Sequence, residues 1–422
     1  MWLRMRFDIG WSDVAYGART LFARLDRKSL LSEVAACWPE PERMFPCLSV
    51  RTGFDLLWRS LDLPAGSEVL MSALTIPDMP RIVRHHQLVP VPVDLNVADM
   101  APDLNVLRRA ITPKTRAIVV AHLFGVRLPL DPIIKIAREH NLTIIEDCAQ
   151  AFEGCHYAGH PDVDVTMFSF GPIKTITAYG GAVFCVRNPE LLARMESLER
   201  LHPVQSRWSH LKRFAKYTTL TGLACRPACD VILAVSRAAG WDYDHWINTV
   251  ARAFPGPLWL DRLRFRPSAP LLAMLERRLR TCDTSQIAAR AARARRLIAA
   301  MPRGAVRPAH QVAEHTHWVF PILTEDPHRV IAELAAVGYD ATQGTSLRVI
   351  DPPEDRPDLD PKTAREALAG MIFLPLSPAM PRREIERLGK VLHGLTDYLV
   401  MDPSIVDPPA TFPRIVLDLR SG

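Results

Sequence analysis

The chain is short of lysine. Of its 52 basic residues only eight are lysines, at positions 28, 114, 135, 174, 212, 216, 362 and 390, and the rest are arginines. It also lacks any C-x-x-C pair among its eight cysteines (37, 47, 148, 155, 185, 225, 229 and 282). Several lie in apolar runs, such as Cys185 in GAVFCV, which fits small buried hydrophobes in a reducing compartment and not a disulfide framework. Cys225 and Cys229 have no nearby His or Cys to complete a tetrahedral set, so no metal site is expected. No G-x-x-x-x-G-K-[ST] occurs, and no G-x-G-x-x-G follows a strand-like run. The usual supports of nucleotide hydrolysis and dinucleotide redox chemistry are therefore missing. No clean apolar stretch reaches the roughly 20 residues that span a bilayer. The most apolar window, LTGLACRPACDVILAVSRAAGW (220–241), is broken by Arg226, Pro227 and Asp230. The N-terminus MWLRMRFDIGW has no continuous apolar run of the signal-peptide kind, so a cytoplasmic location is expected. The formal charge of +6 is modest for 422 residues. In ARAARARRLIAAM (289–301) Arg alternates with Ala as on a solvated helix face, and no nucleic-acid partner is expected.

What is present is a regular alternation from about residue 50 to 190. The β-rich runs EVLMSAL (68–74), LVPVPVDL (88–95), AIVVAHL (117–123), TIIED (143–147), VTMFSF (165–170) and AVFCV (182–186) are separated by helix-like segments. Those segments include FDLLWRSLDL (54–63), MPRIVRHHQ (79–87) and LDPIIKIAREHN (130–141). Apolar strands alternating with helices predict βαβ units and a mostly parallel sheet covered on both faces. Ligands of such sheets sit at the C-terminal strand ends, where Asp147 and Ser169 fall. Residues 200–262 read as helical and rich in Trp, Tyr and Leu, and from about 270 the pattern predicts an α+β lobe. The tail from about 402 is Pro-rich and reads as extended.

Two stretches carry chemistry. In IIEDCAQAFEG (144–154), Asp147 ends a strand and is followed by small residues and Gln150. Such a carboxylate reaches into the crevice and needs a partner there, because an unpaired buried carboxylate is costly; the alternative reading is a helix N-cap. In FSFGPIKTITAYGG (168–181), Ser169 ends a strand, a Gly-Pro turn follows, and Lys174 precedes Gly180–Gly181. A lysine in a partly enclosed turn can give up its proton and form a Schiff base with a carbonyl, which a guanidinium cannot. The alternative is a lysine pointing into solvent from a hairpin.

Taken together, Asp147, Gln150, Ser169 and Lys174 in IIEDCAQAFEG…DVTMFSFGPIKTITAYGGAVFCV resemble the E-D-x-A-[QH]…S-F-x-x-x-K…G-G pattern of the DegT/StrS-type aminotransferases. These are fold-type I pyridoxal-phosphate enzymes, most of which aminate keto groups of nucleotide-linked sugars. LPAGSEVLMSALT (63–75), VPVPVDLN (89–96), AHLFGVRLPLDPIIKIAREHN and FLPLSPAMPRREIERL are similar to further family segments, so the resemblance runs over about residues 45–397. It implies an α/β large domain with a mostly parallel seven-stranded sheet over residues 1–200 and a smaller α+β domain over 263–401. Between them lies a helical insertion at 201–262, and a tail at 402–422 follows. It implies pyridoxal 5'-phosphate as cofactor, with Lys174 as the Schiff-base lysine and proton shuttle and Asp147 on the pyridine nitrogen. Gln150 would face the ring, Ser169 would hold the phosphate, and SVRTGFDLL (49–57) would cradle that phosphate through Arg51, Thr52 and the helix N-terminus.

The sequence also departs from the pattern. Ile76 stands where relatives carry an aromatic residue that stacks on the cofactor. The family's N-x-R motif falls on RFRPS (264–268), with Arg264 for the Asn and Arg266 for the Arg. In relatives that segment reaches into the partner subunit's site, which implies a homodimer. Ala178–Tyr179 replace a Gly-Glu pair. The resemblance implies a ping-pong transfer from glutamate or glutamine to a keto group of a sugar-like acceptor. Two alternatives stand beside it. One is a dehydratase- or epimerase-like reaction, although dehydratase relatives carry His in place of Lys174. The other is a non-catalytic scaffold whose 200–262 segment docks on a partner or a membrane surface.

Overall fold

The computed structural model describes residues 1–3, 7–223, 259–344 and 346–405. Two N-terminal helices, α1 (Trp11–Thr20) and α2 (Arg27–Ala35), precede strand β1 (Met44–Cys47) and helix α3 (Val50–Leu61). The alternating body follows as β2 (Glu68–Ser72), β3 (Leu74–Thr75), α4 (Asp78–His85), β4 (Val89–Val93), α5 (Leu104–Ala110), β5 (Thr115–Ala121), α6 (Asp131–Glu139), β6 (Thr143–Asp147), β7 (Val165–Ser169) and β8 (Ala182–Val186). The sheet has seven strands in the order β1-β8-β7-β6-β5-β2-β4. Neighbours among β4, β2, β5, β6 and β7 run parallel, and β8 is antiparallel to both β7 and β1. The mostly parallel seven-stranded sheet expected from the sequence is therefore present.

Burial on both faces follows from the period of two along each strand. Leu70, Val91, Ile118, Val120 and Ile144 meet Leu107 of α5 and Ile133, Ile136 and Ala137 of α6. Their neighbours Val69, Met71, Val119, Ile145 and Met167 turn to the other side, against Phe54 and Leu57 of α3 and Met79, Ile82 and Val83 of α4. Strand β1 was not anticipated. It is four residues long and carries Pro46, which an edge strand paired on one side only can hold.

The chain continues through α7 (Pro189–Arg200), α8 (Arg207–Leu223), α9 (Trp259–Leu263), α10 (Ala269–Arg280) and α11 (Thr284–Ala300). The C-terminal lobe adds β9 (Phe320–Leu323), α12 (Pro327–Ala336), β10 (Arg348–Val349), α13 (Lys362–Gly370), β11 (Met371–Leu374) and α14 (Arg382–His393). Its core joins Leu297, Phe320, Ile322, Val330, Leu334, Ile385 and Leu388. Helices α11 and α14 cross closely at Gly389, where an added Cβ would lie 2.4 Å from the Ala300 carbonyl oxygen.

Of the 201–262 segment read as an insertion, residues 224–258 lie outside the described residues, with Trp241 and Trp246 among them. Its described helix α8 is packed into the body of the protein. Phe214 and Tyr217 join Phe7, Val14 and Leu30 of the N-terminal segment and Leu272 and Leu275 of α10 in one apolar cluster around Tyr179. Among the described residues no helix is long and apolar enough to cross a membrane.

Candidate active site

The strand ends create the site. Leu48–Arg51 after β1, Thr75–Met79 after β3, Ala121 and Phe124 after β5, Asp147, Ala149 and Gln150 after β6, and Ser169 and Gly171–Ile176 after β7 all line one cavity of about 920 Å³. The C-terminal lobe closes it with residues of α10 and α11, His317–Phe320, Arg348 and Phe373. This is the crevice that a parallel sheet leaves outside its carboxyl ends.

Lys174 and Asp147 both face this cavity. The loop that presents the lysine is held by the Lys174 N–H on the Gly171 carbonyl (3.0 Å), the Ile176 N–H on Asp8 (2.8 Å) and the Ala178 and Gly180 N–H groups on the Phe170 carbonyl (3.1 Å each). Burial lowers the Lys174 amine from 10.5 to about 8; Asp147 opposes that shift and the Arg51 guanidinium adds to it. The Lys174 Nζ lies 4.3 Å from the centre of the Trp318 ring, and the Trp318 indole is itself fixed on the Ile173 carbonyl (3.0 Å). Asp147 is pushed the other way, its carboxyl raised by burial despite the Ala149 N–H (2.9 Å) and the Lys174 charge. The two groups thus meet with their charged forms both disfavoured by the site and favoured by each other.

Behind Asp147 stands a buried polar network. The His122 Nδ1 accepts from the Leu128 N–H (3.0 Å), so Nε2 carries the proton and donates to Glu146 (2.8 Å). Glu146 also accepts from Tyr157, Thr166 and the His160 N–H, and burial alone would raise its carboxyl, yet these bonds hold it well below the usual range. The His122 N–H in turn donates to the Asp147 carbonyl (3.0 Å), which ties the strand end to the network. His122, Glu146 and Cys148 lie close enough together to suit a metal, but their ligand atoms are already committed to these bonds.

Gln150, Ser169, Arg51 and Ile76 also line the cavity. The Gln150 Oε1 accepts from the Phe124 N–H (2.9 Å), which leaves its NH2 group to donate. Ser169 and Lys174 flank Gly171: an added Cβ there would sit 3.8 Å from the Ser169 Oγ and 3.9 Å from the Lys174 Cγ. Helix α3 starts at the cavity wall behind its N-cap Ser49, and the Arg51 side chain donates to Asp78. Thr52 does not line the cavity. Its hydroxyl donates to the Leu263 carbonyl (2.9 Å) and its N–H is taken by the Ser49 Oγ (3.2 Å), because the third helical position turns inward towards α9.

Arg264 and Arg266 also stay outside this chain's own cavity. Arg264 forms a two-pronged pair with the buried Asp55 (3.0 and 3.1 Å), which His86 joins at 3.0 Å. Burial would raise Asp55, but the bonds from His86 and Arg264 keep it ionised well below the usual range. Arg266 pairs its backbone with residues 203–205, and its Nε is buried without a hydrogen-bond partner among the described residues.

Several cavity residues were not anticipated. Trp318 covers the lysine, and Arg290 of α11 comes from the Arg/Ala stretch read as a solvated face. Tyr179 adopts φ +62°, packs against Phe7, Phe214 and Tyr217, and shares a hydrogen bond with the Thr221 hydroxyl of α8 (2.7 Å). The Ala178–Tyr179 departure thus locks the lysine loop to α8 and the N-terminal segment.

Residues 47–225 match the DegT/DnrJ/EryC1/StrS aminotransferase family. GDP-perosamine synthase of Caulobacter vibrioides is 31% identical over 205 residues, which are 46% of this chain and 55% of that protein. The L-glutamine:2-deoxy-scyllo-inosose aminotransferase of Micromonospora echinospora is 33% identical over 181 residues, 41% of this chain and 42% of its own. The chain thus spans about half the length of the curated relatives it matches. In structure, Spr1654 from Streptococcus pneumoniae in its PLP-form aligns over 94% of this chain and 98% of its own, with a TM-score of 0.66 at 18% identity. At that identity the likeness carries the fold alone. Over residues 47–225, less than half of its length, the chain is similar to the DegT/DnrJ/EryC1/StrS aminotransferase family.

Proposed function

We propose that this protein is a pyridoxal-phosphate-dependent aminotransferase. It moves an amino group from glutamate or glutamine to a keto group of a sugar or sugar-like acceptor, in two half-reactions that share one site. The observation that carries the reading is a lysine lowered to about 8 in the same strand-end cavity as a half-buried aspartate. An amine so tuned is available in its neutral form near physiological pH, as both imine chemistry and general base work require.

The residues present fit the cofactor. A carboxylate stands at the base, a lysine beside it, and a hydroxyl and a helix start at the wall, in a cavity of about 920 Å³. Bound there, pyridoxal phosphate supplies an electron sink that acidifies the C–H bond beside the substrate amine. Asp147 would keep the pyridine nitrogen protonated, since burial gives this carboxyl a strong need for a cationic partner. Ser169 and the first N–H groups of α3 would bind the phosphate. Gln150 would donate its NH2 to the ring oxygen, and Ile76 would cover the ring by apolar contact where relatives stack an aromatic side chain. Lys174 would take the proton from the donor carbon and return it on the opposite half-reaction, with Trp318 excluding water from its amine.

The proposal includes a homodimer in which Arg264 and Arg266 face the second copy's site. Their position outside their own cavity supports it, as does the buried Arg266 Nε, which has no hydrogen-bond partner among the described residues. The functional test is spectroscopic. The cofactor-loaded protein should absorb in the visible, and addition of glutamate or glutamine should bleach that band in a stoichiometric single turnover. A loaded protein whose band survives both donors would overturn transamination from them.

A further inference from the structure

The cavity contains a cation whose partners are all neutral. Arg290, on the second turn of α11, is half-buried and lines the cavity beside the lysine loop. Its Nε donates to the Thr316 carbonyl (2.7 Å), and Nη1 and Nη2 each reach the Thr175 hydroxyl at 3.4 Å. A guanidinium has five N–H donors, so two remain without a protein acceptor among the described residues. No carboxylate pairs with it there. His315 and His317 stack nearby with ring centres 3.8 Å apart, and burial together with Arg290 keeps both imidazoles neutral. Asp8 acts on Arg290 only at longer range, being bound to the Ile176 N–H and close to Arg278. Arg293, one turn along the same helix, lines the same cavity and adds a like charge.

Burying a guanidinium without a close counter-charge is expensive, and Arg290, with two N–H donors unused among the described residues, lines the space where reactants enter. We propose that Arg290 is an oxyanion anchor for the reactants: it binds a carboxylate or phosphate of a molecule that enters the Lys174 cavity. Thr175 fixes the guanidinium plane one residue from the lysine, so an anion held by Arg290 sets the distance between its carrier and the amine. The assignment to a reactant rests on the aminotransferase reading, whereas the anion site itself does not.

The test uses the full-length protein with Arg290→Gln, Arg290→Lys and, as a charge control on the exposed side of the same helix, Arg296→Gln. Calorimetric titration with glutarate probes a carboxylate, and titration with inorganic pyrophosphate probes a phosphate. Arg290→Gln should weaken one of the probes about ten- to hundredfold, the worth of one charged hydrogen-bonded contact. Arg290→Lys, which keeps the charge and loses the fork, should fall between, and Arg296→Gln should match wild type. The probe that weakens tells whether the donor's carboxylate or the acceptor's phosphate is read. Should Arg290→Gln melt too early to titrate, Arg290→Lys alone decides. Unchanged binding of both probes in the Arg290 variants overturns the proposal. So does an Arg290→Gln protein that loses affinity for pyridoxal phosphate but not for pyridoxal, because the anion is then the cofactor's. A wild-type protein that takes up no pyridoxal phosphate refutes the aminotransferase reading instead, and the two probe titrations still judge the anion site.

Discussion

Replacing Lys174 by Met should stabilise the cofactor-free protein, although it removes the residue on which the proposed function depends. The amine is lowered from 10.5 to about 8 by burial. One pKa unit is worth about 1.4 kcal/mol, so the site penalises the charged lysine by about 3 kcal/mol. The amine faces a cavity that solvent reaches, and screening reduces the realised figure to roughly 1–2 kcal/mol. Its sign with pH is fixed by linkage. Below pH 8 folded and unfolded chains both carry the proton and the folded state bears the full penalty. Between about pH 8 and 10.5 the unfolded lysine binds more protons than the folded one, so stability rises with pH, and above 10.5 the penalty is gone. Methionine is close in length and neutral at every pH. Urea unfolding of wild type and Lys174→Met, both stripped of cofactor, should therefore show the variant more stable at pH 7 by roughly 1–2 kcal/mol. The gap should close as pH climbs towards 10.5, and effects of other titrating groups cancel in the difference. A variant equal to or weaker than wild type at pH 7, or a gap independent of pH, would refute the account of a strained lysine.

Two further substitutions separate structure from site. Thr52→Val removes a hydroxyl that serves the Leu263 carbonyl, and it should cost about 1–2 kcal/mol in chemical unfolding while leaving pyridoxal phosphate affinity unchanged. A large loss of cofactor affinity at unchanged stability would return Thr52 to the site. Gly389→Ala places a methyl 2.4 Å from the Ala300 carbonyl, and the α11–α14 crossing must open to admit it. The expected cost is about 1–3 kcal/mol, read as a lower melting temperature; an unchanged melting temperature would contradict that close approach.

The strand ends were legible because their chemistry is local in sequence. A strand period that stops at Asp147 or Ser169, followed by small residues, fixes where each side chain emerges, and the lysine stands a few residues further on. Residues whose roles depend on distant partners were not legible. Thr52 looks like a phosphate ligand until its hydroxyl is seen on the carbonyl of Leu263, 211 positions away. Arg264 binds Asp55, 209 positions away, and nothing near it in the sequence announces that pairing. Arg290 lies in a helix of Arg and Ala with so little apolar contrast that no period says which arginine turns inward; the packing of α11 against the lysine loop decides it. Strand β1 was hidden by its proline and its length of four residues. Tyr179 is legible only as a departure, since nothing in its neighbourhood announces Phe7, Phe214 and Thr221 as its partners.

In the proposed function, Lys174 is the amine that captures the cofactor. Full-length protein should be loaded with pyridoxal phosphate, reduced with borohydride, digested and mapped by mass spectrometry. A single pyridoxyl group is expected on the peptide that contains FSFGPIKTITAYGG, at Lys174, and none there in Lys174→Met. Label spread over other lysines with Lys174 unmodified would contradict it.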